Sequence, residues 1–422
     1  NQNNPLTPPG RAAKENSTAL AAAGRGSGTS SWPSMQRPPA TEGEELRTDS
    51  HDGNGGAASR ESTAAIMNYV SPETTAISTR RDLGGSDGAL VGAIWNPALV
   101  KVANARKLLL GKDANRNKMT LDANGFELWT NSGSEEEAFR RMVFTDQDRV
   151  VEEYYPMCER LVSDAILSQQ FAQSSSSPPI ACVCAFDHNV RSSDRASVGK
   201  ITSKRTINTE EEGNGSAAPQ VQNPAGLVHA DYTKTSAPRR LNDLSNPPKL
   251  NDVLRPKLLA QNRKSLLDPA IVQEALEGKR RYAFINVWRS IDPDNPVKNP
   301  PLACIDATSV TVDDLRTFQI HYVDRVGENY FACPPSSSNR QQHAWWYYPD
   351  MTMQEALLLK QWDSIGGVAC DAHSDGNENG NGAKAPSTFT VHSAFIDPSV
   401  SPESAPRKSI EVRCVVIWEK DS

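Results

Sequence analysis

His229-Ala230-Asp231 sets an imidazole and a carboxylate two residues apart. On an extended strand that spacing puts both on one face, where they can share a metal ion. The spacing alone is weak, because 7 histidines and 51 acidic residues give about one His-x-Asp/Glu triplet by chance. The sequence also holds His373-Ser374-Asp375, inside a Gly/Asn-rich stretch that offers no packed element to orient ligands, and this one is set aside. His229 follows Gly226-Leu227-Val228 and precedes Tyr232-Thr233, the setting of a strand end. The bland alternative is a surface histidine beside a solvated aspartate.

Two histidines and one carboxylate with open positions is the ligand set of non-haem iron(II) oxygenases, so a second histidine is needed. His392, in the β-branched and aromatic run Phe389-Thr390-Val391-His392, is the preferred choice over His321 and His343. The segment downstream of His392 settles that preference. Arg407-Lys408-Ser409 puts a forked guanidinium and a hydroxyl on one strand face, suited to the far carboxylate of a dicarboxylate co-substrate that chelates iron at its other end. Arg-x-Ser also occurs at Arg25, Arg60, Arg191, Arg195 and Arg263, but only Arg407 comes after a distal ligand at the start of a strand. Arg413 shares that face and is the alternative anchor.

These residues need rigid elements to hold them. Residues 1–63 are rich in Asn, Gly, Ser, Pro, Ala and charge, and read as a disordered tail that cannot repay the entropy of ordering. Residues 64–422 read as a single domain, interrupted near 174–179, 192–220 and 370–387 by segments of similar composition, since loop closure costs grow only slowly with length. Asn124-Gly125 reads as a hairpin dipeptide between apolar runs. Asp148–Leu167 has helical periodicity, with a kink or a start at Pro156, and Leu254–Leu276 reads as helical pieces, the second opened by Asp268-Pro269. Strands are expected at 282–288, 303–306, 318–323, 344–348, 389–392 and 409–418. Helices first and short strands afterwards predict a mainly β jelly roll, cupin-like, with a helical buttress. In the last strand Ile410, Val412, Cys414, Val416 and Trp418 share a core face, and Ser409, Glu411 and Arg413 begin the other.

The net charge of -6 argues against a nucleic-acid surface, and no apolar run is long enough for a membrane span. The seven cysteines lack paired CxxC spacing, which fits reduced thiols in the cytoplasm. Because the chain begins with Asn, an upstream N-terminus is expected.

Several long motifs then recur in order: LVHADYT (227–233), RYAFINVWRSI (281–291), PVKNPPLACIDATSV (296–310), HAWWYYPDMTMQEALLLKQWDS (343–364), TVHSAFIDP (390–398) and PRKSIEVRCVVIW (406–418), with GFELW (125–129) and CAFDHNVR (184–191) before them. Through these the chain resembles the fungal gibberellin-desaturase-like hydroxylase/desaturase family, which includes relatives from cephamycin methoxylation. The resemblance implies a double-stranded β-helix using iron(II), 2-oxoglutarate and dioxygen on a small secondary metabolite, with His229, Asp231 and His392 as ligands. Arg407 and Ser409 as the 2-oxoglutarate anchor rest on analogy with other such oxygenases. The long insertion at 371–387 departs from the family and bears on loop shape and substrate choice.

For the substrate pocket, strand alternation puts Asn286 and Trp288 on one face and Arg289 on the other. His343, Trp345, Tyr347 and Tyr348 offer aromatic walls and a polar contact, with plain core as the bland alternative. Two rival readings remain: a catalytically inactive jelly-roll protein that binds small molecules, and a metal cupin that does not use 2-oxoglutarate.

Overall fold

Apolar runs buried on both faces set the centre of the fold. Every residue of β9 (Tyr282–Ser290) and β14 (Glu355–Asp363) is buried. With β6 (Phe126–Thr130), β16 (Lys408–Trp418) and β7 (Ile180–Ser192) they form an antiparallel sheet in the order β6-β14-β9-β16-β7. One face meets a second, larger sheet. The other is covered by the helix Tyr155–Gln173, which packs on β7, β9 and β16. Covering both faces explains why these strands read as near-continuous apolar runs. In this computed structural model the described residues are 29–39, 60–80, 90–110, 118–130, 135–173, 178–202, 221–249, 252–322, 326–335, 342–370 and 385–420.

The larger sheet runs from β1 (Thr29–Ser30) through β4 (Leu90–Val91), β3 (Ile77–Arg80), β11 (Leu315–His321), β12 (Val326–Ala332), β8 (His229–Ala230), β15 (His392–Ala394), β10 (Leu302–Ile305), β13 (Trp345–Tyr347) and β5 (Trp95–Asn104) to β2 (Ser62–Val70). Two facing sheets with a helical buttress make the expected mainly β jelly roll. The expected order of elements, however, is corrected: β2 to β5 precede the helices and complete the larger sheet. The expected tail is also only partly outside the described residues. Residues 29–39 and 60–63 lie against the sheets, with Trp32 edge-on to Phe318 at 5.9 Å and Asn68 Nδ2 donating to the Ser34 carbonyl at 3.2 Å. Of the three expected insertions, 174–177, 203–220 and 371–384 lie outside the described residues.

Pro156 does mark a change of winding. A π-helical turn, Val150–Tyr154, runs directly into the helix at Tyr155. Proline has no N–H for the carbonyl one turn earlier, so the chain winds wider there. The second helical piece near 254–276 opens as expected, with Asp268 accepting from the Ala270 N–H at 2.8 Å.

Asn124-Gly125 is not a hairpin. Thr120 caps a single turn, Leu121–Asn124, and Gly125 closes it at φ 87°, its N–H donating to the carbonyls of Thr120 and Leu121. The same dipeptide serves either purpose because both require a residue in the left-handed region. This turn also braces the segment that leads to His392. The Lys360 N–H donates to the Gly125 carbonyl at 2.7 Å, and the Thr390 N–H to the Lys360 carbonyl at 2.9 Å. Beneath it, Lys360 Nζ lies 2.9 Å from both Asp122 and Asp363, and Arg281 Nε donates to Asp363 at 3.0 Å.

Candidate metal centre

β8 and β15 are neighbours in the larger sheet, and His229 and His392 are paired directly across them. Their rings are 4.5 Å apart between centroids. Each ring is oriented by its own chain in the same way. His229 Nδ1 bonds the Leu227 carbonyl at 2.7 Å and His392 Nδ1 bonds the Thr390 carbonyl at 3.3 Å, in both cases two residues earlier. A carbonyl can only accept, so Nδ1 carries a proton and in the neutral ring Nε2 is the nitrogen left with a lone pair. Asp231 Oδ1 lies 3.7 Å from His229 Nε2. One ligand atom from each of the three residues falls within 4.8 Å of the others, the single such group among the described residues. Two imidazole nitrogens and one carboxylate oxygen, converging with tautomers already set, fit a divalent metal with open positions.

The electrostatics agree with that donor set. Burial, with His392 close by, holds His229 down to about 4, so the imidazole is neutral. Burial pushes the Asp231 carboxyl up, but the nearby guanidinium groups, Arg413 foremost, outweigh it and hold the group below the usual carboxylate range.

The smaller sheet supplies the facing wall. In the register of β16 with β9, Ser409 stands against Ser290, Glu411 against Trp288 and Arg413 against Asn286, so these side chains share one face. Asn286 Nδ2 donates to Asp231 Oδ2 at 3.3 Å and also to Glu411 Oε1. Trp288 lies under the Arg407 guanidinium, 5.0 Å from its centre, and packs with Cys304, Leu302, Tyr348, Met351, Leu357 and Leu359. Cys304 pairs with His392 across β10 and β15, which places this apolar cluster beside the candidate ligands.

Arg407 is almost fully buried, with Nε donating to Ser409 Oγ at 3.1 Å and Nη1 to the Pro300 carbonyl at 3.1 Å. Burial and the neighbouring Arg191 hold it down to about 9. Among the described residues its hydrogen bonds go to neutral groups, and a buried cation of that kind is costly unless an anion joins it. The alternative anchor is engaged differently: Arg413 Nη1 lies 3.0 Å from Asp187 and its Nε 3.9 Å from Asp231.

The other residues expected in a substrate pocket divide. Arg289 lies on the far face, its guanidinium over Phe139 at 4.4 Å. Both nitrogens of His343 are engaged, Nδ1 with Tyr69 OH at 3.0 Å and Nε2 with Asp314 at 3.3 Å, in a buried network with Trp345. Tyr347 packs edge-on to Phe395 and its OH reaches Asp397 at 3.5 Å. Only Trp288 and Tyr348 fall in the apolar cluster beside the ligands. His373-Ser374-Asp375 lies outside the described residues. Glu411 escaped the sequence reading as a site residue, although it continues the face begun by Ser409, because its partner Asn286 is distant in sequence.

A family model described as "Oxidoreductase/YMDC permease-like domain" matches residues 67–263 and 257–417. The chain belongs to that family. It is 30% identical over 214 residues to an uncharacterized protein in the dcmA 3'region of Methylophilus leisingeri, a match covering 51% of this chain and 81% of that protein. It is 32% identical over 225 residues to the hydroxylase/desaturase CTB9 of Cercospora beticola, covering 50% of this chain and 53% of that protein. The chain thus spans about half the length of this fungal relative. A solved variant of the iron and alpha-ketoglutarate-dependent endoperoxidase NvfI superposes with a TM-score of 0.55 at 20% identity, over 86% of this chain and 99% of that one, which shows the shared fold. Among the described residues, no helix of this family member is long and apolar enough to cross a membrane.

Proposed function

We propose that this protein is a mononuclear iron(II), 2-oxoglutarate-dependent oxygenase that hydroxylates or desaturates a small secondary metabolite. The observation that carries the reading is the convergence of one ring nitrogen from each of His229 and His392 and one carboxylate oxygen of Asp231, all within 4.8 Å of one another. The likeness of the chain to CTB9, named a hydroxylase/desaturase, supports the reaction class. With iron, 2-oxoglutarate and dioxygen bound, the site would supply an oxidant able to take hydrogen from an unactivated carbon.

The residues divide the remaining work. His229, Asp231 and His392 hold the metal. Arg407 and Ser409 receive the far carboxylate of 2-oxoglutarate, an assignment supported by a buried guanidinium whose hydrogen bonds among the described residues go to neutral groups. The cluster around Trp288, Tyr348 and Leu357 keeps water from the reacting carbon and gives an apolar substrate a wall to lie on. The seven cysteines are free, which supports a reducing cytoplasmic setting.

Of the rival readings, a cupin that does not use 2-oxoglutarate has no use for a buried Arg407, and an inactive binding protein has none for a complete ligand set. The test is anaerobic reconstitution with iron(II). A visible charge-transfer band on adding 2-oxoglutarate is expected in the wild type and absent in His392→Ala. No band and no uncoupled succinate formation in the wild type would sink the proposal.

A further inference from the structure

The three ligands are not oriented alike. Each histidine is set by a carbonyl of its own segment, within the larger sheet. In Asp231 Oδ1 lies toward His229 of its own segment, while Oδ2 is held from the facing sheet, receiving Asn286 Nδ2 at 3.3 Å with Arg413 Nε at 3.9 Å. Asn286 is fully buried, and its amide nitrogen has two hydrogens to give. One goes to Asp231 and the other to Glu411, so both acceptors are carboxylates and both bonds gain from the charge. That double donation fixes which way the amide points, since the carbonyl end turned toward two carboxylates would be repelled.

Building on the metal-site reading above, we propose that Asn286 is the positioning residue for the carboxylate ligand, holding Asp231 Oδ2 so that Oδ1 alone is presented to the metal. Glu411 completes the device. It stands on β16 two residues beyond Ser409 and, by taking one amide hydrogen, keeps the other aimed at Asp231. The strand proposed to anchor the co-substrate therefore also sets the angle of a metal ligand on the opposite sheet. Rotating the carboxylate about its bond to Cβ would bring both oxygens to the ion and occupy a position that the co-substrate or dioxygen needs. Once Asn286 is gone no hydrogen bond among the described residues opposes that rotation, because Arg413 at 3.9 Å attracts Oδ2 only as a charge.

The experiment titrates the full chain, stripped of metal, with Mn(II) as a redox-silent probe, and reads affinity by calorimetry and metal-bound exchangeable water by EPR broadening in 17O-enriched water. Asn286→Ala and Asn286→Asp are compared with wild type, and the melting temperature of the metal-free proteins reports folding. Both variants are expected to bind Mn(II) about tenfold or more weakly, the usual effect of losing a partner of a metal ligand, and to carry fewer exchangeable waters than wild type. Unchanged affinity and water content in a folded variant overturn the assignment. Should both variants fail to fold, Glu411→Gln leaves Asn286 in place but loosens it, and must still weaken Mn(II) binding; no change there overturns the proposal equally. A wild-type protein that does not bind Mn(II) would instead bring down the metal-site reading beneath it.

Discussion

His229 and His392 face each other across one rung of the sheet, ring centroids 4.5 Å apart, on strands of two and three residues. Neither strand is long enough to fix its own register, so the site depends on what holds the flanking segments. For His392 that is the helical turn at 121–125 and the Lys360 backbone; for Asp231 it is the opposite sheet.

Arg407→Met removes the buried guanidinium while keeping much of its packing against Trp288. Loss of a buried charge partner costs about 2–5 kcal/mol, so 2-oxoglutarate binding should weaken by about 100-fold. Ser409→Ala, which removes one neutral hydrogen-bonding group, should cost roughly 1 kcal/mol and weaken it about fivefold. Mn(II) affinity without the co-substrate should stay near wild type in both. Calorimetry checks all three, and equal losses of metal and 2-oxoglutarate binding would remove Arg407 from the role of anchor.

His343 distinguishes a wall of the pocket from a strut of the sheet. His343→Phe would leave Tyr69 OH and the buried Asp314 carboxylate each short of a partner, costing about 1–3 kcal/mol in urea unfolding. Metal and 2-oxoglutarate affinities should not move. A change in either, with stability intact, would return His343 to the site.

Asp363 makes stability depend on acid. Burial pushes its carboxyl up, but Lys360 and Arg281 outweigh this and hold it down to about 2, against an ordinary 3.8. A lowered folded value means that its contribution is complete above the ordinary value and is lost as pH falls through about 2. Asp363→Asn should therefore be less stable than wild type at neutral pH, by about 3–5 kcal/mol for a broken buried ion pair, and the gap should narrow by about 2 kcal/mol on acidification through about pH 4 to pH 2. Denaturant titrations across that range decide it, and a gap independent of pH would mean that the cluster is held by packing.

The sequence revealed what is local and periodic. His229 and Asp231 are two residues apart on a strand end, and alternation in β9 correctly separated Asn286 and Trp288 from Arg289. What it could not carry was the partner of each face. Asn286 was expected to touch substrate and instead reaches Asp231 and Glu411, both far away along the chain. His343 lies in an aromatic run suited to a pocket, yet its nitrogens are engaged by Tyr69 and Asp314, which no spacing rule connects. The Asn124-Gly125 dipeptide misled because a left-handed residue serves a helix end as well as a hairpin. Strand β2 begins at Ser62, inside the polar tail by composition, because its small residues Ser62, Thr63, Ala64 and Ala65 pack by virtue of β5 alongside rather than by their own hydrophobicity.

The shortness of β8 and β15 has a mechanical meaning as well. They occupy the middle of an eleven-stranded sheet, where the ladder offers the fewest rungs, and each carries one of the two histidines proposed to hold the metal. An ion bound there would rivet the weakest seam of the sheet, so loading the metal should slow amide exchange first at 227–232 and 390–394, and emptying it should open the larger sheet from its middle rather than from its edges.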